Sequence, residues 1–190
     1  MMMQLHSKHN QKTHGNRGSL NTIAIADSQD WVREDLSFAD RAVMDKWQNA
    51  ERVSLSKVEK IAKTAPMYKG DISRGLSFAT TAQRDDFVKG LQGAGGMQTT
   101  KTASFSAKDS VAHVFSGSSE KGVVLNVKSK TGRAIMGLDG KRVEQGEYEV
   151  ISLKGTGYKL TSPPKSETIT ITTSGRSSKR KVISMELEEL

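Results

Sequence analysis

The chain has 190 residues, a length that suits one domain with room for a short extra element. Cysteine is absent, which excludes disulfide scaffolds, thiolate zinc sites and cysteine nucleophiles, and which fits a reducing compartment. The formal net charge of +8 favours polyanionic partners or an anionic ligand. Nucleic-acid binding through a basic surface is therefore one expectation, and a merely solvated basic surface is the other.

The first 22 residues are polar and basic and contain no Asp or Glu. This composition predicts a disordered basic arm over residues 1–22. The arm has no continuous apolar run and so does not resemble a secretory signal, and no later segment has the length and apolarity to span a bilayer. We therefore expect a cytoplasmic protein without a membrane partner, and no metal site.

Residues 23–64 are expected to form a helical segment that packs on the core. One apolar stripe recurs at steps of three or four residues, as on one helix or two abutting ones. Ser56 with Glu59 is a capping-box pattern and predicts the start of a further helix, which Pro66 ends. Trp31 and Trp47 are predicted to be core residues. The stripe consists of Val32, Leu36, Ala39, Val43, Trp47 and Ala50.

After Pro66 the chain changes to short segments separated by Gly, Ser, Asn and Asp. The patterns predict a strand at 67–78 and a helix at 83–91, followed by a loop over GLQGAGG. A second helix is predicted at 107–116. Further strands are predicted at 101–105, 121–128, 147–153, 156–161, 167–172 and 180–187. The order predicts an α+β domain with a mostly antiparallel sheet, preceded by helices.

Two short motifs carry residues suited to catalysis. Ser104-Phe105-Ser106 lies on a predicted strand that runs into a helix, and Glu147-Tyr148-Glu149 lies on a strand after a Gly-rich loop. Strand alternation places the two carboxylates on one face. No dinucleotide-binding GxGxxG between strand and helix, no P-loop and no HExxH occurs. Paired carboxylates with hydroxyls on another strand to orient them are a candidate catalytic arrangement.

In order and spacing these segments resemble the mono-ADP-ribosyltransferases of the Arg-Ser-Glu class, the group that contains binary-toxin enzymes and phage-encoded relatives. The resemblance covers residues 65–190. Its segments are PMYKG at 66–70, ASFSAKDSVAHVF at 103–115, GVVLNVKSKTGRAI at 122–135 and GEYEVISLKGTGYKL at 146–160. It implies a two-sheet ADP-ribosyltransferase-like core at 65–190, and NAD as co-substrate.

The same resemblance assigns the reacting groups. Glu149 would stabilise the positive charge that develops on the ribose as nicotinamide leaves, an oxocarbenium-like state. Glu147 would hold the guanidinium of an arginine acceptor and help remove its proton. Ser104 would donate a hydrogen bond to Glu149. Ser106 would support the turn into the helix as an N-cap, and Phe105 would face either the nicotinamide pocket or the core. Ser104, Phe105 and Ser106 are also candidate NAD-binding residues.

One position departs from the family pattern. The family's Tyr-Arg-Gly is here Tyr68-Lys69-Gly70, and an arginine follows only at Arg74. Either Lys69 replaces the arginine or Arg74 takes its role as the ligand of an NAD phosphate. Arg74 is slightly favoured, because a guanidinium offers a planar fork to a phosphate and an ammonium does not.

The expected activity is NAD-dependent mono-ADP-ribosylation of a protein side chain, with arginine as acceptor. A phage enzyme acting in the host cytoplasm on transcription or translation machinery would fit the charge. The alternatives are an NAD glycohydrolase, or a non-catalytic phage structural or nucleic-acid-binding protein that retains the fold.

Overall fold

The computed structural model describes residues 17–117, 119–138 and 148–190. Its helices are α1 (Arg17–Glu34), α2 (Phe38–Gln48), α3 (Leu55–Ala62), α4 (Thr81–Gly93) and α5 (Asp109–Phe115). Its strands are β1 (Met67–Ser77), β2 (Gly96–Gln98), β3 (Ala103–Ser106), β4 (Gly122–Ala134), β5 (Glu149–Ser152), β6 (Gly157–Leu160), β7 (Lys165–Thr173) and β8 (Arg176–Glu189). None of the helices in these ranges is both long and apolar enough to cross a membrane.

The first helix begins earlier than its composition indicates. Helix α1 starts at Arg17, so the prediction of disorder is wrong for residues 17–22, and the rest of the predicted arm lies outside the described residues. Tertiary contacts explain the difference. Asn21 is buried, its side-chain amide donates to the carbonyl of Ala107 at 3.2 Å, and it accepts from the hydroxyl of Tyr68 at 2.9 Å. These bonds satisfy a polar side chain that the composition alone assigns to solvent.

The helical segment contains two helices after α1. Ser37 caps α2, because its side chain accepts from the amide of Asp40. The capping box predicted at Ser56 is wrong, since Ser54 occupies the N-cap position of α3 and Ser56 lies inside the first turn. Glu59 pairs instead with Lys63, at 3.0 Å.

A cluster of buried side chains joins these helices to the sheet, and we call it the helical cluster. Trp31 is part of it, as predicted, and its indole N–H donates to the hydroxyl of Thr64 at 3.0 Å. Residues from the segment that follows β4 and from β5 complete the cluster. Its buried members are Trp31, Val32, Met44, Val58, Ile61, Ala62, Ala65, Ile135, Leu138 and Ile151.

The sheet has the strand order β1-β3-β5-β4-β8-β6-β2, with β7 paired to β8 and β1 also paired to β4. All pairings are antiparallel except that of β4 with β8. The long strands β4 and β8 change partners along their length, so the two expected sheets form one hydrogen-bonded network. The α+β class and the mostly antiparallel sheet are confirmed.

Most predicted elements match the observed ones within a few residues, but the GLQGAGG segment does not. Helix α4 continues through Gly93, and the residues after it form the short strand β2. Gly96 makes this pairing possible, because a Cβ there would lie 2.0 Å from the carbonyl oxygen of Tyr158 on β6. The pairing is a long-range contact that glycine-rich composition does not indicate.

Candidate functional site

A cavity of about 570 Å³ opens where the end of α2 meets β1, β3, β5 and α5. Its wall combines one carboxylate, one guanidinium, several hydroxyls and three aromatic rings. The lining residues are Trp47, Gln48, Asn49, Ala50, Ser73, Arg74, Gly75, Ser104, Phe105, Ser106, Val111, Ala112, Phe115 and Glu149. The structure therefore brings together residues from both halves of the chain.

Glu149 is the first residue of β5 and is buried, with 6% of its surface exposed. In the register of β3 against β5, Ser106 faces Glu149 and Ser104 faces Ile151. Ser104 is therefore the diagonal neighbour of Glu149 on the same face of the sheet. Its hydroxyl donates a hydrogen bond to Oε1 of Glu149. This is the contact that the sequence resemblance implies for the pair.

Two further donors to Glu149 come from the N-terminal half of the chain. The indole N–H of Trp47 donates to Oε1 at 2.8 Å, and the side-chain amide of Gln48 donates to Oε2 at 3.4 Å. Trp47 packs against the helical cluster, but it also lines the cavity, so a purely structural interpretation of this residue is incomplete. About 100 residues separate these side chains from Glu149, and helix periodicity carries no signal for such a contact.

Arg74 lies on β1 and is half-buried in the cavity wall. It donates to the carbonyl of Ser104 at 3.0 Å, and its guanidinium lies over the ring of Phe105, 5.8 Å from the centroid. Burial lowers the pKa of Arg74. Among the ion pairs between described residues, none involves Arg74. Neither the carbonyl oxygen nor the ring face neutralises the guanidinium, so its positive charge remains available to an anionic ligand.

Lys69 occupies a different environment. It is exposed, and it falls between Tyr68 and Gly70, where the register of β1 against β4 shifts. It does not line the cavity, and five residues of strand separate it from Arg74, roughly 16 Å at the usual rise. Of the two cations considered from the sequence, the cavity contains Arg74.

Phe105 and Ser106 both line the cavity, each with a second contact. Phe105 is buried in the main core beside the ring of Tyr158, with centroids 6.2 Å apart. Ser106 accepts from the backbone amide of Lys108 at 3.0 Å, although the N-cap position of α5 belongs to Lys108. Ser106 therefore bonds within the turn and is not itself the helix cap, which corrects the detail of the prediction.

Helix α5 approaches β1 so closely that only glycine fits between them. A Cβ on Gly75 would lie 1.9 Å from the carbonyl oxygen of Ala112. Ser73, beside it on β1, donates to Asp109 at the start of α5, at 2.9 Å. These two contacts hold α5 in the cavity wall and fix the turn that carries Ser106.

Glu147, the predicted acceptor-binding carboxylate, lies outside the described residues. Tyr148, which follows it, has a φ of 50°, a left-handed conformation that is uncommon for tyrosine. The ammonium of Lys108 lies 5.4 Å from the centroid of its ring. The parts of the chain that the structure describes contain no group of three or more acidic or histidine side chains placed to bind a metal.

No family model matches the chain, and no curated protein matches it. Solved structures do match its fold. The C3 exoenzyme of Clostridium limosum has a TM-score of 0.52 at 10% identity, over 90% of this chain and 93% of that chain. The ADP-ribosylating toxin BECa of C. perfringens, solved with NADH, has a TM-score of 0.50 at 14% identity, over 89% of this chain and 48% of that chain.

The ADP-ribosyltransferase HopU1 of Pseudomonas syringae pv. Tomato DC3000 has a TM-score of 0.48 at 14% identity, over 85% of this chain and 64% of that chain. This chain spans less than two thirds of the HopU1 chain and about half of the BECa chain. The likeness to the C3 exoenzyme and BECa shows the fold, and the ADP-ribosyltransferase-like fold implied by the sequence is confirmed.

Proposed function

We propose that this chain, which has an ADP-ribosyltransferase-like fold, cleaves NAD and transfers the ADP-ribose to a protein side chain, with arginine as acceptor. One observation carries the proposal. The buried carboxylate of Glu149 lies in a cavity wall, oriented by the hydroxyl of Ser104, and Arg74 lies in the same wall. Fold alone does not determine activity, so the argument depends on these groups.

The cavity suits NAD in size and chemistry. Its volume of about 570 Å³ lies within the range of small-molecule sites, about 300–1,000 Å³. The guanidinium of Arg74 offers donors to a pyrophosphate, the carboxylate of Glu149 accepts from ribose hydroxyls, and Phe105 offers an apolar ring to the nicotinamide. The cavity wall thus offers one contact each to the pyrophosphate, to the ribose and to the nicotinamide, the parts of NAD that extend to the bond that is cleaved.

Glu149 would act through its charge. When the bond between nicotinamide and ribose breaks, positive charge develops on the ribose carbon, and a fixed carboxylate nearby stabilises it. The carboxylate must already point at that carbon, because reorienting it during the reaction would cost free energy. Ser104 is in place to prevent such reorientation. Ser106 stabilises the turn behind the site and makes no chemical contribution in this scheme.

The acceptor is assigned from sequence. Glu147 lies two residues before Glu149, and in the family that the sequence resembles a glutamate at this position marks arginine-directed enzymes. An arginine stays protonated in water, so a carboxylate that holds its guanidinium and helps remove a proton is a chemical requirement. The acceptor protein would be a host component of transcription or translation if the chain is phage-encoded.

The test uses NAD labelled on its adenine part, incubated with a bacterial lysate and with the full-length protein. Wild type should label a discrete protein, and Glu149→Ala should abolish both labelling and nicotinamide release. Glu147→Gln should retain nicotinamide release but lose labelling. Glu188→Gln is the matched control, because Glu188 pairs with Lys130 and Lys159 at the surface and does not line the cavity.

Each outcome separates the candidate functions. Nicotinamide release without labelling in any lysate would replace the transferase with an NAD glycohydrolase. Neither release nor labelling from a folded wild type would overturn the enzymatic proposal. The chain would then be a binding protein that retains the fold, and salt-dependent retention on nucleic acid would identify the ligand class.

A further inference from the structure

The contact between Trp47 and Glu149 joins the N-terminal helices to the candidate catalytic carboxylate. The indole N–H lies 2.8 Å from Oε1, which is within the normal range for a hydrogen bond. Ser104 donates to the same oxygen from β3. One carboxylate oxygen is thus bonded by two donors that belong to separate elements of the fold, α2 and β3.

The chemistry of the indole restricts the hydrogen bonds that Trp47 can form. An indole nitrogen can only donate, so Trp47 has no alternative arrangement in which it accepts from a neighbour. The ring has two side-chain torsions and packs against the helical cluster, which limits its movement. A donor of this kind holds its acceptor more firmly than a long amide side chain does. Gln48 illustrates the contrast, since its bond to Oε2 is 3.4 Å long.

We propose that Trp47 is a positioning residue for NAD cleavage, which fixes the carboxylate of Glu149 together with Ser104. The inference rests on the proposed function, and it extends the catalytic apparatus beyond the strand motifs to α2. Trp47 acts through Glu149 and does not contact the reacting atoms in this scheme. Its effect should therefore fall mainly on turnover and much less on the binding of NAD.

The chain contains a matched control. It has two tryptophans, and Trp31 also donates from its indole nitrogen, to the hydroxyl of Thr64 at 3.0 Å. Trp31 belongs to the helical cluster but does not line the cavity. Trp31→Phe and Trp47→Phe thus remove the same atoms and one hydrogen bond each from the same part of the molecule. Only the second removes a bond to Glu149.

The kinetic arm measures nicotinamide release by both variants and by wild type. Trp47→Phe should lower kcat by about tenfold to 100-fold, the range expected when a catalytic group loses its alignment. KM for NAD should change much less than kcat, because Glu149 can still accept from the ribose hydroxyls and the lost alignment acts mainly in the transition state. Trp31→Phe should leave both constants near their wild-type values. Trp31 is more deeply buried than Trp47, so a general loss of stability would affect the control at least as strongly and could not produce this split.

A second arm tests the contact without any reaction. The full-length protein labelled with ¹⁵N at tryptophan gives two indole resonances, which the two Phe variants assign. Glu149→Gln should shift the resonance of Trp47, since a neutral amide replaces the charged acceptor, and should leave that of Trp31 in place. A Trp47 resonance that does not respond would overturn the inference.

The two proposals fail in different ways. An active wild type whose kcat is unchanged in Trp47→Phe overturns the positioning role alone. A folded wild type that releases no nicotinamide overturns the proposed function, and the catalytic role of Trp47 with it. In that case the indole resonances still report whether α2 is bonded to β5.

Discussion

Removing the carboxylate of Glu189 should destabilise the protein far more than its position near the end of the chain suggests. This side chain is buried, with 3% of its surface exposed, and lies at the end of β8. Its Oε2 accepts from the amides of Lys130 and Thr131, at 2.5 and 3.0 Å, and from the hydroxyl of Ser129 at 3.0 Å. The hydroxyl of Thr131 donates to Oε1. Glu189 thus fixes residues 129–131 of β4, where the register against β1 shifts, before that strand reaches β5.

The expected loss of stability follows from the two hydrogen bonds that backbone amides donate to Glu189. The hydroxyl donors can rotate towards water when the carboxylate is removed, and the amides cannot. A hydrogen bond to a charged group contributes about 1 kcal/mol more than a neutral one, so Glu189→Gln should cost about 2 kcal/mol. Glu189→Ala leaves both amides without their acceptor and should cost about 2–4 kcal/mol. For a chain of this length these losses correspond to a fall in Tm of about 4–8 °C for Gln and roughly 5–15 °C for Ala.

The same carboxylate predicts a dependence on pH. Burial acts to raise the pKa of Glu189, but its hydrogen bonds outweigh burial and the pKa is lowered below its usual value. A lowered native pKa stabilises the fold above the unfolded pKa of about 4.3, and this stabilisation is lost as the pH falls through the native value. The difference between wild type and Glu189→Gln should therefore disappear in acid.

Chemical denaturation at pH 7 and at several acidic values measures both effects, with Glu188→Gln as control. Glu188 is the neighbouring residue and makes surface ion pairs to Lys130 and Lys159, so its loss should change the midpoint little. If Glu189→Ala shifts the midpoint no more than the control does, the hydrogen bonds from β4 to Glu189 do not stabilise the fold.

Two further predictions concern the site, and a third concerns backbone conformation. Arg74→Lys should raise KM for NAD by about tenfold without unfolding the protein, because an ammonium cannot offer the fork of a guanidinium; unchanged binding in a titration with NAD would exclude Arg74 as a phosphate ligand. Ser104→Ala should lower kcat by about tenfold in the nicotinamide assay, since it removes one donor to Glu149, and an unaltered kcat would contradict its orienting role. Ala50→Gly should raise the free energy of unfolding by about 0.5–1 kcal/mol, because Ala50 has a φ of 54°. Ala94→Gly, where φ is −79°, should lower it, and equal effects would refute the argument from backbone conformation.

Local sequence patterns predicted part of the fold and part of the candidate site. Alternation of Val123, Leu125 and Val127 correctly predicted β4. The strand is not half-buried as that period indicates, because Val124 between them is buried as well. Ser104 and Glu149 could be singled out because short motifs on strands keep their geometry. Trp47 could not be placed at the site, since it belongs to an apolar helical stripe, and burial in the core explains such a stripe equally well.

Other features depended on partners far away in the chain. The sequence assigns Asn21 to a polar tail, whereas in the structure it forms hydrogen bonds with Tyr68 and Ala107. The short strand β2 exists only because β6 pairs with it. In each case the deciding interaction spans more than 40 residues, a distance over which local propensity carries no information.

The central position of β8 has a consequence for synthesis of the protein on the ribosome. This strand is made after the others, yet it pairs with β4, β6 and β7. Until its residues have been made, those three strands expose edges that can pair with other chains. We therefore expect the nascent protein to depend on chaperones until β8 has been made, and to fold slowly because its pairings are distant in sequence.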